Sequence, residues 1–172
     1  MQIDRDLYRT LTKMSYAGET SLSALVNDML KEYLHTYVLS KRMGHMLMAK
    51  EIVKIAVNEM SDEEIKQASA ANAIRYREGA LIDYGRPSLA VYLDLIRSFV
   101  KANGFDMEVS KNAETGNHVL IVMFRMGPKF SQFLGNTYRI LLEEFADIGK
   151  IEMTDTSAYF EYQPKESFQR RE

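Results

Sequence analysis

The sequence predicts an α+β protein: a helical hairpin and a helical connector, followed by a four-stranded antiparallel sheet carrying two helices. Three observations predict it. Before residue 85, apolar residues recur at the three-four spacing of amphipathic helices. After Gly104 they alternate in short runs, as in strands with one buried face. Between the two patterns lies the breaker segment Gly85-Arg86-Pro87.

The elements follow in order. Asp4 is placed to cap a first helix in which Leu7, Leu11 and Met14 share a face, and Gly18 is expected to end it in the left-handed conformation. Thr20 or Ser21 caps a second helix with a wide apolar stripe through Leu22, Leu25, Val26, Met29, Leu30, Tyr33, Leu34, Tyr37 and Val38. A stripe that wide exceeds what one thin partner helix covers. Helical spacing resumes from Met43 to Met60. Ser61-Asp62-Glu63-Glu64 is a capping box that starts a fourth helix, expected to run to about Arg77.

Past the breaker, Pro87 is placed in the first turn of a helix presenting Leu89, Leu93, Ile96, Phe99 and Val100, and Gly104 closes it. Strands are expected at Phe105–Val109, His118–Arg125, around Ile151-Glu152-Met153 and at Tyr159–Tyr162. Gly127-Pro128 opens the intervening helix, and Gly149 is expected to end it. Tyr92, Phe99 and Gly104 align with Tyr138, Phe145 and Gly149, so a duplicated α-β-β unit stands beside chance similarity of two helix-hairpin segments. The expected organisation is 1–40 as hairpin module, 41–85 as connector, 86–163 as sensor or oligomerisation domain, and 164–172 as a flexible tail.

Composition narrows the function. With 46% hydrophobic and 27% charged residues, the chain has the balance of a folded globular protein. The absence of cysteine excludes disulfides, thiolate metal sites and cysteine nucleophiles, and fits a reducing cytoplasm. The longest apolar stretch, Val119 to Phe124, is too short for a bilayer, so no membrane partner is expected. A net charge of −2 does not advertise nucleic acid, although bases slightly outnumber acids over Met1–Lys50.

Ile3-Asp4-Arg5-Asp6-Leu7 and Gly18-Glu19-Thr20-Ser21-Leu22-Ser23-Ala24-Leu25-Val26 resemble the ribbon-helix-helix superfamily of Arc- and MetJ-type repressors. The resemblance implies an interlocked homodimer, or a higher even oligomer, whose paired N-terminal strands enter the major groove of DNA. It also implies that the start of the second helix clamps a phosphate. Carried onto this sequence, the clamp is Thr20, Ser21, Leu22 and Ser23, and Gln2 is the base reader. The chain departs from the pattern in having only Met1, Gln2 and Ile3 ahead of Asp4. Asp4 and Asp6 would also repel phosphate. Two functions follow: a cytoplasmic DNA-binding transcriptional regulator with a C-terminal sensor or oligomerisation domain, or a dimeric interaction protein that uses the hairpin only for assembly.

Other constellations are weaker. Met43-Gly44-His45-Met46-Leu47-Met48 pairs thioethers with an imidazole, yet lacks the ligand repeat of a metal site. Among Tyr76, Arg77, Glu78, Asp83, Tyr84 and Arg86, carboxylates stand beside arginines, as in an acid-base site, a grip on an anionic ligand, or a hydrated loop with ordinary ion pairs. Gly127-Pro128-Lys129 opens a helix that could hold a phosphate. Phe105, Met107, Val119, Ile121, Met123, Ile151, Met153 and Phe160 are read as core, the alternative being the lining of a small-molecule effector pocket. No nucleotide-binding, zinc-protease or serine-hydrolase signature occurs, so neither enzyme activity nor a cofactor is expected.

Overall fold

The computed structural model describes residues 4–38, 41 and 48–165. Among them the fold is α+β. Six α-helices run as α1 (Arg5–Ala17), α2 (Leu22–Glu32), α3 (Lys50–Asn58), α4 (Asp62–Tyr84), α5 (Leu89–Ala102) and α6 (Pro128–Leu142). Four strands form one sheet: β1 (Asp106–Lys111), β2 (His118–Met123), β3 (Ala146–Met153) and β4 (Ser157–Pro164). From Tyr33 to Val38 the chain winds on beyond α2 in a wider π-helical turn, where the rings of Tyr33 and Tyr37 stack 5.2 Å apart.

The sheet order is β1-β2-β4-β3, and every neighbouring pair is antiparallel. Two hairpins thus meet through their second strands, and each hairpin follows a helix, so the topology is that of two α-β-β units face to face. Gly104 and Gly149 nevertheless differ in role. Gly104 follows α5 in the left-handed conformation, with φ of 57°. Gly149 lies inside β3, at the register shift between Ile148 and Lys150, rather than at the end of α6.

Strand register fixes which side chains face the helices. Leu120, Val122, Phe160, Ile151 and Met153 share the inner face. Val119, Ile121 and Met123 have Glu161, Tyr159 and Ser157 as cross-strand partners, which places all three on the outer face. They are therefore not part of the helix-facing core expected for them. β2 is apolar on both faces, and alternation alone could not distinguish the two. Phe105, Met107, Ile151, Met153 and Phe160 do belong to the core or pack against it.

The core is built around α6. Its Phe130, Leu134, Tyr138, Leu141 and Leu142 are buried against the sheet on one side and α4 and α5 on the other. Phe105, Phe124 and Phe130 meet edge to face at 5.6 to 5.9 Å, a geometry favoured by the ring quadrupole. Gly135 lets α6 approach β3 closely. A Cβ there would lie 2.7 Å from the end of Met153.

Helix α4 is the element that departs most from its sequence expectation. The capping box forms as read, with the Ser61 hydroxyl accepting from Glu64 N and the Glu64 carboxylate accepting from Ser61 N at 2.7 Å. The helix does not stop near Arg77, however. It passes through Gly79 and ends at Gly85, whose φ of 72° closes the last turn. Residues read as connector therefore contribute Ala73, Tyr76 and Ala80 to the core. Small side chains on this face let α4 sit close to α6. The Ser69 hydroxyl lies 2.7 Å from Ile65 O and 2.9 Å from Phe133 O, and Thr137 Oγ1 donates within 3.3 Å of Ser69 O. Pro87 lies outside its helix, since Ser88 caps α5 by accepting from Val91 N.

Helix α3 is latched to the start of α6. Val53 and Val57 pack on the core, and Asn58 Nδ2 donates to Met126 O at 3.0 Å. The next residue, Gly127, has φ of 96°, and a Cβ there would stand 2.8 Å from the Asn58 carboxamide. Gly127→Ala should therefore cost about 1–3 kcal/mol through backbone strain alone, read as a lowered denaturant midpoint. An unchanged midpoint would contradict this packing.

Candidate functional site

The residues assigned to a phosphate clamp converge at the start of α2. Asp4 caps α1, its carboxylate accepting from Asp6 N at 2.9 Å and Leu7 N at 3.2 Å. The first helix closes with Gly18 N donating to Met14 O and Thr20 N donating to Ser15 O. The left-handed residue of this turn is Glu19, with φ of 49°, and not Gly18, whose φ is −93°. Ser21 rather than Thr20 caps α2, its hydroxyl accepting from Ala24 N at 3.1 Å.

This capping leaves the amides of Leu22 and Ser23 in the first turn without an intrahelical acceptor. Thr20, Ser21 and Ser23 are exposed, and Leu22 is half-buried. Thr20 contributes no free amide, because the hairpin turn uses it. Gln2 lies outside the described residues, as do His45 and most of the methionine segment around it. Asp6 is exposed at the start of α1 and lies 3.7 Å from Arg9.

The hairpin has little burial of its own. Leu11 and Ser15 of α1 are buried, but no residue of α2 is. Leu7, Met14, Met29, Leu30, Tyr33, Leu34 and Tyr37 all remain exposed, Leu34 at 60%.

The charged and aromatic cluster from Tyr76 to Tyr84 does not form a loop. It lies on α4, and its side chains diverge. Tyr76 points into the core, whereas Glu78 pairs with Arg75 at 2.7 Å. Arg77 reaches Glu144 at 2.5 Å, and the Tyr92 hydroxyl donates to the other Glu144 oxygen at 3.0 Å. Glu144 raises the Arg77 pKa above its ordinary value, while burial and then Glu144 push the Tyr92 phenol upward. This arrangement ties α4, α5 and the end of α6 together. The Arg77–Glu144 contact joins residues 67 apart in the chain, so no local pattern announces it.

At the start of α6, Gly127 N donates to Asp155 O, and Lys129 forms an ion pair with Asp62. The Gly127 amide and the Lys129 ammonium are thus engaged within the protein. Among the described residues no group of three or more His, Asp or Glu is arranged to hold a metal ion. His118 stacks on Tyr162 at 5.5 Å.

One further polar centre has no signature in the sequence. Glu161, largely buried on the outer face of the sheet, accepts from Thr115 Oγ1 at 2.5 Å and Asn117 Nδ2 at 2.9 Å. Asn112 adds a longer bond at 3.3 Å. The carboxylate thereby fastens the β1–β2 turn, and these donors lower its pKa below the usual glutamate value. A carboxylate in a strand carries no local signal for such a role.

Comparison with protein-family models, with curated proteins and with solved structures returns no match.

Two predictions follow from these polar groups. Because its folded pKa is depressed, Glu161 contributes stability that is present above the unfolded glutamate value and lost as pH falls through the folded one. Glu161→Gln should flatten that acid limb and speed hydrogen exchange across Asn112–Asn117. Unchanged exchange would contradict the tether. The buried hydroxyls of Tyr76 and Tyr138 have no hydrogen-bond partner other than each other. Replacing both with Phe should leave stability equal or raised by about 1 kcal/mol, since removing both members of a buried polar pair leaves no unpaired group behind. A clear loss in thermal melting would reveal an overlooked bond.

Proposed function

We propose that this chain is a dimeric DNA-binding transcriptional regulator of the cytoplasm, with its helical hairpin contacting DNA and its sheet domain sensing a signal or extending the oligomer. The observation that carries the reading is that α2, apolar along one side, buries none of its residues within the single chain. An isolated helix of eleven residues is marginal in water, so a second hairpin is the natural cover. Likeness to the ribbon-helix-helix superfamily supplies the DNA. The first amides of α2 would receive a phosphate, aided by the helix dipole and the exposed Ser21 and Ser23 hydroxyls.

Asp4 and the exposed Asp6 at the start of α1 favour the second reading, in which the hairpin serves assembly alone. Fluorescence anisotropy with genomic fragments separates the two. Operator binding should show sequence preference at low salt and weaken steeply between about 50 and 200 mM. Ser23→Glu should reduce affinity at least tenfold without changing the oligomer, by placing a carboxylate where the phosphate sits. Leu30→Glu with Leu34→Glu should lower the sedimenting mass and abolish binding together. A folded assembly with no sequence preference at low salt would remove DNA from the account and leave the assembly reading.

A further inference from the structure

Helix α4 is apolar on two opposite sides. The side carrying Ile65, Ala73, Tyr76 and Ala80 is buried in the core. The other side carries Ile74, Leu81 and Ile82, exposed at 51%, 55% and 62%, together with exposed Ala70 and Ala71. At 100° per residue these positions form one continuous stripe, with Glu78 among them and Arg75 on its flank. Among the described residues, α4 meets chiefly α6 and α5, and the side chains it buries there belong to the opposite side.

We propose that this stripe is a second self-association surface, on which α4 of another copy lies antiparallel. The order of side chains carries the inference. Small residues, Ala70 and Ala71, occupy one end, and large ones, Leu81 and Ile82, occupy the other. A twofold axis crossing near Tyr76 sets the small end of each helix against the large end of its neighbour. Facing positions then interlock at both ends, as a self-complementary interface requires.

Charge complementarity agrees with that register. Arg75 and Glu78 bond to each other within the helix at 2.7 Å. They flank the axis on the same side of the stripe, so the twofold brings Arg75 of one copy beside Glu78 of the other, twice. A parallel arrangement would instead set Leu81 on Leu81, Ala71 on Ala71 and like charges side by side. The surface is distinct from the hairpin, so the two together would build an assembly larger than a dimer.

Engineered thiols test the register, and the chain's lack of cysteine keeps the experiment clean. In one helix, positions 71 and 82 are about 16 Å apart along the axis, beyond the reach of a disulfide. The full chain carrying Ala71→Cys and Ile82→Cys should therefore convert largely to a covalent dimer under mild oxidation. Each single variant should stay monomeric on denaturing gels. A double variant that remains uncrosslinked while retaining native circular dichroism overturns the proposal, as do single variants that crosslink equally well. Arg75→Glu should suppress crosslinking severalfold, and adding Glu78→Arg should restore it; no response to either change argues against the charge pairing. Leu30→Glu with Leu34→Glu should leave the crosslink intact, which separates this surface from assembly through the hairpin.

Discussion

The close approach of α4 to α6 is the contact on which the rest of the molecule depends. Ser69, Ala73 and Thr137 keep the side chains between the two helices short. The hydroxyls, facing backbone carbonyls, are satisfied without water. With α4 seated, α6 is held from behind and can press Phe130, Leu134 and Tyr138 into the sheet. Gly135 completes the fit on the opposite side by admitting Met153. One helix thus serves as the centre of a layered structure, with small residues on the two flanks that must come near. Interiors packed to crystal-like density leave little slack for larger side chains at such positions.

Around this centre, long-range polar contacts locate the remaining pieces. Arg77, Glu144 and Tyr92 join three helices at one corner. Asn58 fixes α3 to the loop that opens α6, and Glu161 gathers the turn between β1 and β2. Each is a side chain whose partner lies far away in sequence or across the sheet. They add direction to a core that is otherwise apolar and therefore tolerant of sliding. Among the described residues the hairpin α1–α2 shows no comparable polar anchor into the core, and its burial within one chain is slight.

Much of the architecture was legible in the residues. Asp4, Ser21 and Ser61 announced their helices because capping is a local hydrogen bond made by a short polar side chain. Gly127-Pro128 did the same for α6, and alternation marked the two hairpins, although the order in which they join was not legible. The full length of α4 was hidden. Ala70, Ala71, Ala73 and Ala80 are spread around the helix, so its apolar residues give no single stripe to follow. The outward position of Val119, Ile121 and Met123 was hidden for a related reason, since β2 reads as continuously apolar. At the hairpin, the clamp residues Thr20 to Ser23 do lie together, but the left-handed turn residue proved to be Glu19. Glycine marks such turns only by frequency, and a neighbouring residue one step along can adopt the conformation instead.

The order β1-β2-β4-β3 leaves β1 and β3 as the two borders of the sheet. Such borders are templates for runaway stacking unless something spoils them. Here β1 carries Asp106, Glu108 and Lys111 in a strand of six residues, and β3 is kinked at Gly149 beside Lys150. Neither margin offers a long, flat, uncharged ladder to a neighbour. Edge-to-edge growth from the folded state therefore has no straight rail to follow.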